Sequence, residues 1–303
     1  MFILTYHNIV DDDIDDFDRK CNRLSTAEFA AQLERIRNRF KVVSLKEGLS
    51  SLSSAESTDA LLAITFDDGY LGVLKNAAPI LRSHGFPATV FIVTENLDPS
   101  AGKASLSDGI EIAFRLTAEV RLDVTWLNGE VLDLGSVQDR LRSMKRVKRH
   151  LKLMLDSERR AAKHRVMHSL NVTADAVRSY AENREKYHGL NIADIHALMG
   201  LGMSVGSHTR RHRTLSRVTD VDCRDEIVHS YKEIQTMFDL SWIPFAYPYG
   251  GTEHVGVLAP QIVREAGYSC GLTTIPGMNT NRTDRFLLHR VEFDNLPGNT
   301  PGG

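Results

Sequence analysis

The sequence predicts an α/β fold on a parallel sheet, and three observations carry that expectation. Short apolar runs that read as strands alternate with amphipathic stretches that read as helices through much of the 303 residues, as when strands are joined by helical crossovers. Leu61-Leu62-Ala63-Ile64-Thr65-Phe66 is close to a continuous apolar run, the pattern of a strand buried on both faces. That run ends at Asp67-Asp68-Gly69-Tyr70, and Met203-Ser204-Val205-Gly206-Ser207 ends at His208-Thr209-Arg210-Arg211-His212. Carboxyl ends of strands are where α/β folds carry their chemistry.

In chain order, Phe2 to Tyr6 reads as the first strand and Asp11 to Asp18 as an acidic loop. Asp11, Asp12, Asp13, Asp15 and Asp16 lack the Gly and distal Glu of an EF-hand, so a solvated loop is expected there. Ser25 and Glu28 form a capping box, with Leu24 and Phe29 placed as a hydrophobic staple. Phe29, Leu33, Ile36 and Phe40 give that helix an apolar face. A strand over Val42 to Leu45, a short helix and a Ser-rich loop from Ser50 to Ser57 lead into the buried run.

From about 99 to 190 the sequence turns helical and basic. Val124 to Leu132 reads as a hairpin, with Asn128-Gly129 as its turn. Arg140, Arg142, Lys145, Arg146, Lys148, Arg149, Lys152, Arg159, Arg160, Lys163 and Arg165 follow, while Val147, Leu151, Met154 and Leu155 recur at helical spacing. The bland reading is an amphipathic helix with a solvated basic face; the functional one is a platform for an anionic ligand or a partner. Asn191 then caps a helix through Ile192, Ile195, Leu198 and Met199 that stops at Gly200-Leu201-Gly202. A helix through Ile227, Tyr231, Ile234 and Phe238, a strand over Trp242 to Ala246, a helix over Val255 to Glu265, a strand over Tyr268 to Leu272 and a last strand over Phe286 to Phe293 complete the order.

The formal net charge of -2 argues against a general polyanion binder, so no nucleic-acid partner is expected. Cys21, Cys223 and Cys270 are scattered and imply free thiols, Cys270 in a core strand. No run of about 20 apolar residues suggests a transmembrane segment. Met1 to His7 has no basic flank and too short an apolar run for a signal peptide, so cytoplasmic residence is expected.

Two carboxylates at one strand end and two imidazoles four residues apart at another can supply one Asp and two His to a metal, with the second Asp left as a base. Asp-Asp-Gly alone is more often a turn, and His-x-x-x-His alone is a common coincidence. Together, both at strand ends, they describe a metal-dependent hydrolase.

Thr65-Phe66-Asp67-Asp68-Gly69-Tyr70, Ser207-His208-Thr209-Arg210-Arg211-His212 and Phe245-Ala246-Tyr247-Pro248-Tyr249-Gly250 together resemble the three motifs of the polysaccharide deacetylases, the NodB-homology group or carbohydrate esterase family 4. Ala78-Pro79-Ile80-Leu81 and Gly85 through Phe91 look like the helix and second strand that follow the first motif there. The resemblance implies a distorted, incomplete (β/α) barrel, one catalytic domain over 1–303 interrupted by the helical insertion at about 99–190. It implies Asp67 as general base and Asp68, His208 and His212 as ligands of one divalent ion, zinc first, with cobalt, nickel or manganese as alternatives. No other cofactor is implied. Tyr249 stands where the family offers a backbone N–H to the oxyanion.

For the general acid, Tyr6-His7 resembles the opening of the circularly permuted subgroup typified by poly-N-acetylglucosamine deacetylases, which favours His7. His289, in Leu287-Leu288-His289-Arg290, is the second choice. Many family members carry an Arg in the third motif that orients the catalytic Asp, where this chain has Phe245. Either another basic residue such as Arg290 substitutes, or Asp67 is held by different hydrogen bonds. The implied activity is removal of an N-acetyl group from an N-acetylglucosamine-like sugar in an oligosaccharide, polysaccharide or precursor. An amidase or O-deacetylase acting on another acetylated compound is the alternative within enzymes, and a non-catalytic saccharide-binding protein the alternative outside them.

Overall fold

The structure, a computed structural model, describes residues 1–11, 14–54, 60–97 and 105–299. Its strands are β1 (Phe2–Tyr6), β2 (Asn8–Val10), β3 (Arg23–Ser25), β4 (Lys41–Val42), β5 (Leu61–Phe66), β6 (Ala88–Ile92), β7 (Arg121–Val124), β8 (Glu130–Asp133), β9 (Ser204–Ser207), β10 (Pro244–Ala246) and β11 (Cys270–Leu272). β1, β5, β6, β9, β10 and β11 lie side by side in that order, and β4 pairs with the first two residues of β5. Every pairing in this sheet is parallel.

The sheet is curled into a distorted (β/α) barrel. Its edges approach each other through the segment before Phe293, where single parallel bridges join Leu272 to Leu288 and Leu4 to Val291. This segment was expected as a full last strand. It forms bridges and no ladder, because the Asn279 side-chain amide takes both backbone groups of His289: Nδ2 donates to the His289 carbonyl and Oδ1 accepts its N–H, each at 2.8 Å.

Period-two alternation sorts β5 between two cores. Leu62, Ile64 and Phe66 pack into the layer shared with the helices Thr26–Arg37 and Asp220–Phe238. Leu61 and Ala63 face the barrel interior with Ile3, Phe91, Ala246, Leu272 and Leu288. Thr65 and Asp67 continue that inner parity, which starts to build the site. The helix Thr26–Arg37 begins with the expected Ser25–Glu28 capping box, and Asn191 caps Ile192–Gly200. Cys270 is buried in β11, and all three cysteines are free.

The insertion has a core of its own, in which Ile110, Phe114, Leu122, Met144, Val147, Val166 and Tyr187 are buried together. β7 and β8 form the expected hairpin, with Val124 opposite Glu130, but a helical turn over Thr125–Asn128 joins them and Gly129 closes it at φ 78. The basic helix runs Val137–Leu153 and stops short of the apolar spacing read into Met154 and Leu155. Met154 is extended and Leu155 is exposed, because the chain turns into the next helix, Asp156–Ser169, whose buried Arg159 donates to Thr214 Oγ1 at 2.8 Å.

Three local readings change. The helix Leu45–Ser54 takes up part of the stretch expected as strand at its start and as a Ser-rich loop at its end; residues 55–59 lie outside the described residues. The acidic loop is partly helical: Asp15 caps a helix over Asp16–Lys20, and Asp18 is 1% exposed. Asp12 and Asp13 lie outside the described residues. Asp18 belongs to a buried ionic network that ties the insertion to the barrel. In it Arg23 donates to Glu111 at 2.7 Å and Asp108 at 2.8 Å, Lys186 pairs with Asp18 at 2.8 Å, and the Tyr187 and Tyr70 hydroxyls donate to Glu111 and Asp108. No helix among the described residues is long and apolar enough to cross a membrane.

Candidate metal centre and catalytic cleft

Asp67 and Asp68 leave β5, His208 leaves β9, Tyr249 follows β10 and His7 follows β1, so five side chains named by the sequence meet at one end of the sheet. They line a cleft of about 890 Å³ together with Arg290 and one face of the insertion. The local backbone is unusual. Of the seven non-glycine residues with positive φ among the described residues, Asp68 (70°), Thr209 (69°), His212 (56°) and Tyr249 (62°) belong to this site. Such conformations cost of order 1–3 kcal/mol each and persist where surroundings enforce them, often at functional sites. Gly69 follows Asp68 at φ 66, so the turn after β5 needs the glycine.

Asp68, His208 and His212 form the one group of potential metal ligands of three or more residues found among the described residues, with ligand atoms all within 4.8 Å of one another. Asp68 Oδ1 lies 3.5 Å from His208 Nε2 and 3.2 Å from His212 Nε2. Ligands about 2.0–2.1 Å from a tetrahedral ion stand roughly 3.3 Å apart, so both Asp68 separations suit an ion such as zinc. The His208 tautomer fits as well: Nδ1 lies 2.8 Å from the Ala246 carbonyl, so it carries the proton and leaves the Nε2 lone pair facing Asp68. Burial pushes His208 down to about 4, so its ring is neutral near pH 7. Burial alone would raise Asp68, but His212 beside it, with His7 and His208, more than offsets this and holds the carboxyl well below its usual range. The donor set is thus a carboxylate and two imidazoles ready to receive a cation.

Asp67 does not join that triangle. Its carboxylate, 2% exposed, receives two hydrogen bonds from the Arg290 guanidinium, Nη1 to Oδ1 and Nη2 to Oδ2, each at 2.7 Å. Arg290 is held in turn by the Thr273 carbonyl, 2.8 Å from Nε, and by Thr65 Oγ1, 3.3 Å from Nη1. Burial would raise the Asp67 carboxyl; Arg290, then His208 and more weakly His7, outweigh burial and lower it. Arg290 therefore takes the orienting position that Phe245 cannot fill in the third motif.

The two candidate acids separate. His7 lines the cleft beside Asp67 and Asp68. His289 does not line it: its ring packs on Gly277, and Nδ1 lies 3.3 Å from the Ile275 carbonyl. Leu288 and Arg290 take the inner parity of this segment, so the residue between them faces away. Tyr249 places its ring against His212, centroids 4.9 Å apart. Its carbonyl accepts from Thr274 Oγ1 at 2.7 Å, while its N–H meets no protein acceptor among the described residues and remains available to a ligand.

Reasoning from motifs passed over Lys152, whose Nζ sits 4.5 Å from the Tyr249 ring centroid, and Tyr70, which lines the cleft and bonds Asp108. The signal for Lys152 was present, since Lys145, Lys148, Arg149 and Lys152 fall on one helical arc.

The family model for polysaccharide deacetylases matches residues 54–117 and 163–271. YxkH of Bacillus subtilis is 20% identical over 271 residues, 89% of this chain and 65% of that protein, so the chain spans just under two thirds of the relative's length. Among solved structures, the deacetylase PplD of Streptococcus pyogenes, in complex with acetate, is 17% identical with a TM-score of 0.60 over 96% of this chain and 91% of its own. IcaB of Ammonifex degensii is 16% identical with a TM-score of 0.58 over 96% and 90%. Both structures share the fold of this chain.

Proposed function

The chain belongs to the polysaccharide deacetylase family, and from that premise we propose that it hydrolyses the N-acetyl group of an N-acetylglucosamine-like sugar in a saccharide chain or precursor. The observation that carries this reading is the division of labour between adjacent carboxylates. Asp68 faces two imidazoles at 3.2 and 3.5 Å, while Asp67 is clamped by Arg290 at 2.7 Å. One carboxylate is set to bind a cation and the other to stay ionised and oriented without one.

Asp68, His208 and His212 would hold a divalent ion, with zinc the best match to the donor set, and a bound ion supplies Lewis-acid activation of water and of the acyl carbonyl. Asp67 takes the proton of the attacking water, and Arg290 fixes the carboxylate so that little reorganisation accompanies that transfer. The Tyr249 N–H donates to the oxyanion as negative charge develops there. His7 gives a proton to the departing amine, which leaves poorly without one. An acid in the cleft supports an amide substrate over an ester. Acetate release from chitooligosaccharides by metal-loaded protein tests the reading: turnover lost in Asp67→Asn but not in a surface control supports it, and no acetate from any N-acetylated sugar sinks it.

A further inference from the structure

The wall of the cleft opposite the barrel is the helix Val137–Leu153, which lies between the two segments matched by the family model. Leu141, Met144, Val147 and Leu151 fasten it to the insertion core. Lys145, Lys148, Arg149 and Lys152 line the cleft, and none is in an ion pair among the described residues. Asp108 and Glu111, the buried carboxylates on which Lys148 acts, are already engaged by Arg23 and Arg115, and Asp68 is the carboxylate that acts on Lys152. Lysines four apart repel each other along a helix, so this arc works against helix stability. The chain as a whole is slightly acidic, so the cations are concentrated here and not spread by composition.

We propose that the sugar acted on carries negative charge and that this helix binds it, the substrate being an acidic N-acetylated saccharide chain. The inference rests on the hydrolytic reading above and names its substrate class. Lys152 stands next to the catalytic residues, over the Tyr249 ring, and Lys148 is anchored beside Cys21, its Nζ 3.5 Å from Sγ. From Lys152 to Lys145 the helix rises about 10 Å, so the cations form a row leading away from the metal ligands. A row of that length suits carboxylates or phosphates repeated along a chain better than one diphosphate beside the acetylated sugar. The shared chemistry is an anion near the acetamide; the spacing favours the polymer as its source.

The test compares a heparosan hexasaccharide, which alternates N-acetylglucosamine with glucuronate, against the same hexasaccharide with its carboxylates reduced to alcohols, and against UDP-N-acetylglucosamine. Calorimetric binding is measured on metal-loaded Asp67→Asn, which should bind without turnover, and acetate release on the unaltered protein. Each partly exposed ion pair is worth up to about fivefold, so the acidic hexasaccharide should bind about tenfold or more tighter than its reduced form. Added salt should erode that preference, and Lys145→Gln with Arg149→Gln, both at exposed positions, should lower it severalfold. Equal binding of the two hexasaccharides, or a preference untouched by salt and by these substitutions, overturns the inference while acetate release from the neutral sugar leaves the hydrolytic reading standing. Tight binding of the acidic form with no acetate released from any substrate overturns the hydrolytic reading and keeps the anion site. Tighter binding of UDP-N-acetylglucosamine than of the acidic hexasaccharide overturns the assignment to an extended chain.

Discussion

Arg290→Met should remove the clamp on Asp67 while keeping most of the side-chain volume. Both residues are nearly inaccessible, and the two hydrogen bonds between them are charge-assisted at 2.7 Å. Bonds of that kind contribute about 1.5–3 kcal/mol each, and deleting one partner of a buried ion pair costs about 3–5 kcal/mol because the other charge is left uncompensated. Urea unfolding should therefore reveal a loss of roughly 3–5 kcal/mol, a large share of a typical stability of 5–15 kcal/mol. Catalysis should report the same change differently. Arg290 leads the groups, with His208 and His7, that together outweigh the burial raising the Asp67 carboxyl, so its removal lets Asp67 protonate more readily and moves the acid limb of the kcat/KM profile to higher pH. Adding Asp67→Asn to Arg290→Met should restore part of the stability, since no buried charge is then unpaired. A variant as stable as the parent, with an unmoved acid limb and no relief from Asp67→Asn, would refute the clamp.

His208→Ala and His212→Ala should each abolish near-stoichiometric zinc loading measured by metal analysis, and unchanged metal content in both would remove the centre from these residues. Asp67→Asn should keep its metal and lose about 10²- to 10⁴-fold in kcat; loss of metal instead would mean that the two aspartates exchange roles. His7→Ala should cut kcat on an amide far more than on an activated acetyl ester, whereas His289→Ala should act only through packing on Gly277; the reverse pattern would transfer the acid to the last segment. Arg23→Met should lower stability by about 3–5 kcal/mol, read by urea unfolding, because it strands buried carboxylates. In that same network Glu111 is brought down to about 2 although burial opposes it, chiefly by Arg23. Its contribution is complete above its ordinary 4.5 and lost as pH falls toward 2, so Glu111→Gln should flatten that fall in urea titrations, in part only because burial raises Asp108 beside it.

The fold was legible where local and tertiary demands agree. β5 is apolar on both faces because helices cover one side and the barrel interior the other, and that demand is written in every residue of the run but Thr65. The caps at Ser25 and Asn191 were legible for the same reason, since a cap is satisfied within three residues of itself. The last segment was not, because Asn279 intercepts the backbone of His289 from ten residues away, and no periodicity encodes such an interception. Asp18 was misread on similar grounds. An acidic stretch looks solvated until Arg23, Arg115 and Lys186, the last far along the chain, converge on one of its members.

The candidate site residues were legible as types, and their arrangement was not. Motifs located Asp67, Asp68, His208, His212 and Tyr249, yet they cannot express the left-handed backbone at Asp68, Thr209, His212 and Tyr249 that aims them; Thr209 is β-branched, a residue that avoids this region when nothing compels it. Parity decided the rest. Once Leu288 is fixed in the interior, Arg290 must reach Asp67 and His289 must turn away, so a single step of register separates the residue that clamps Asp67 from the second candidate acid. The same geometric logic converts the basic insertion from a face expected in solvent into a wall of the cleft. The lysines flank the apolar positions that dock the helix, and docking therefore carries them to the cleft lined by Asp68, His208 and His212 rather than away from it.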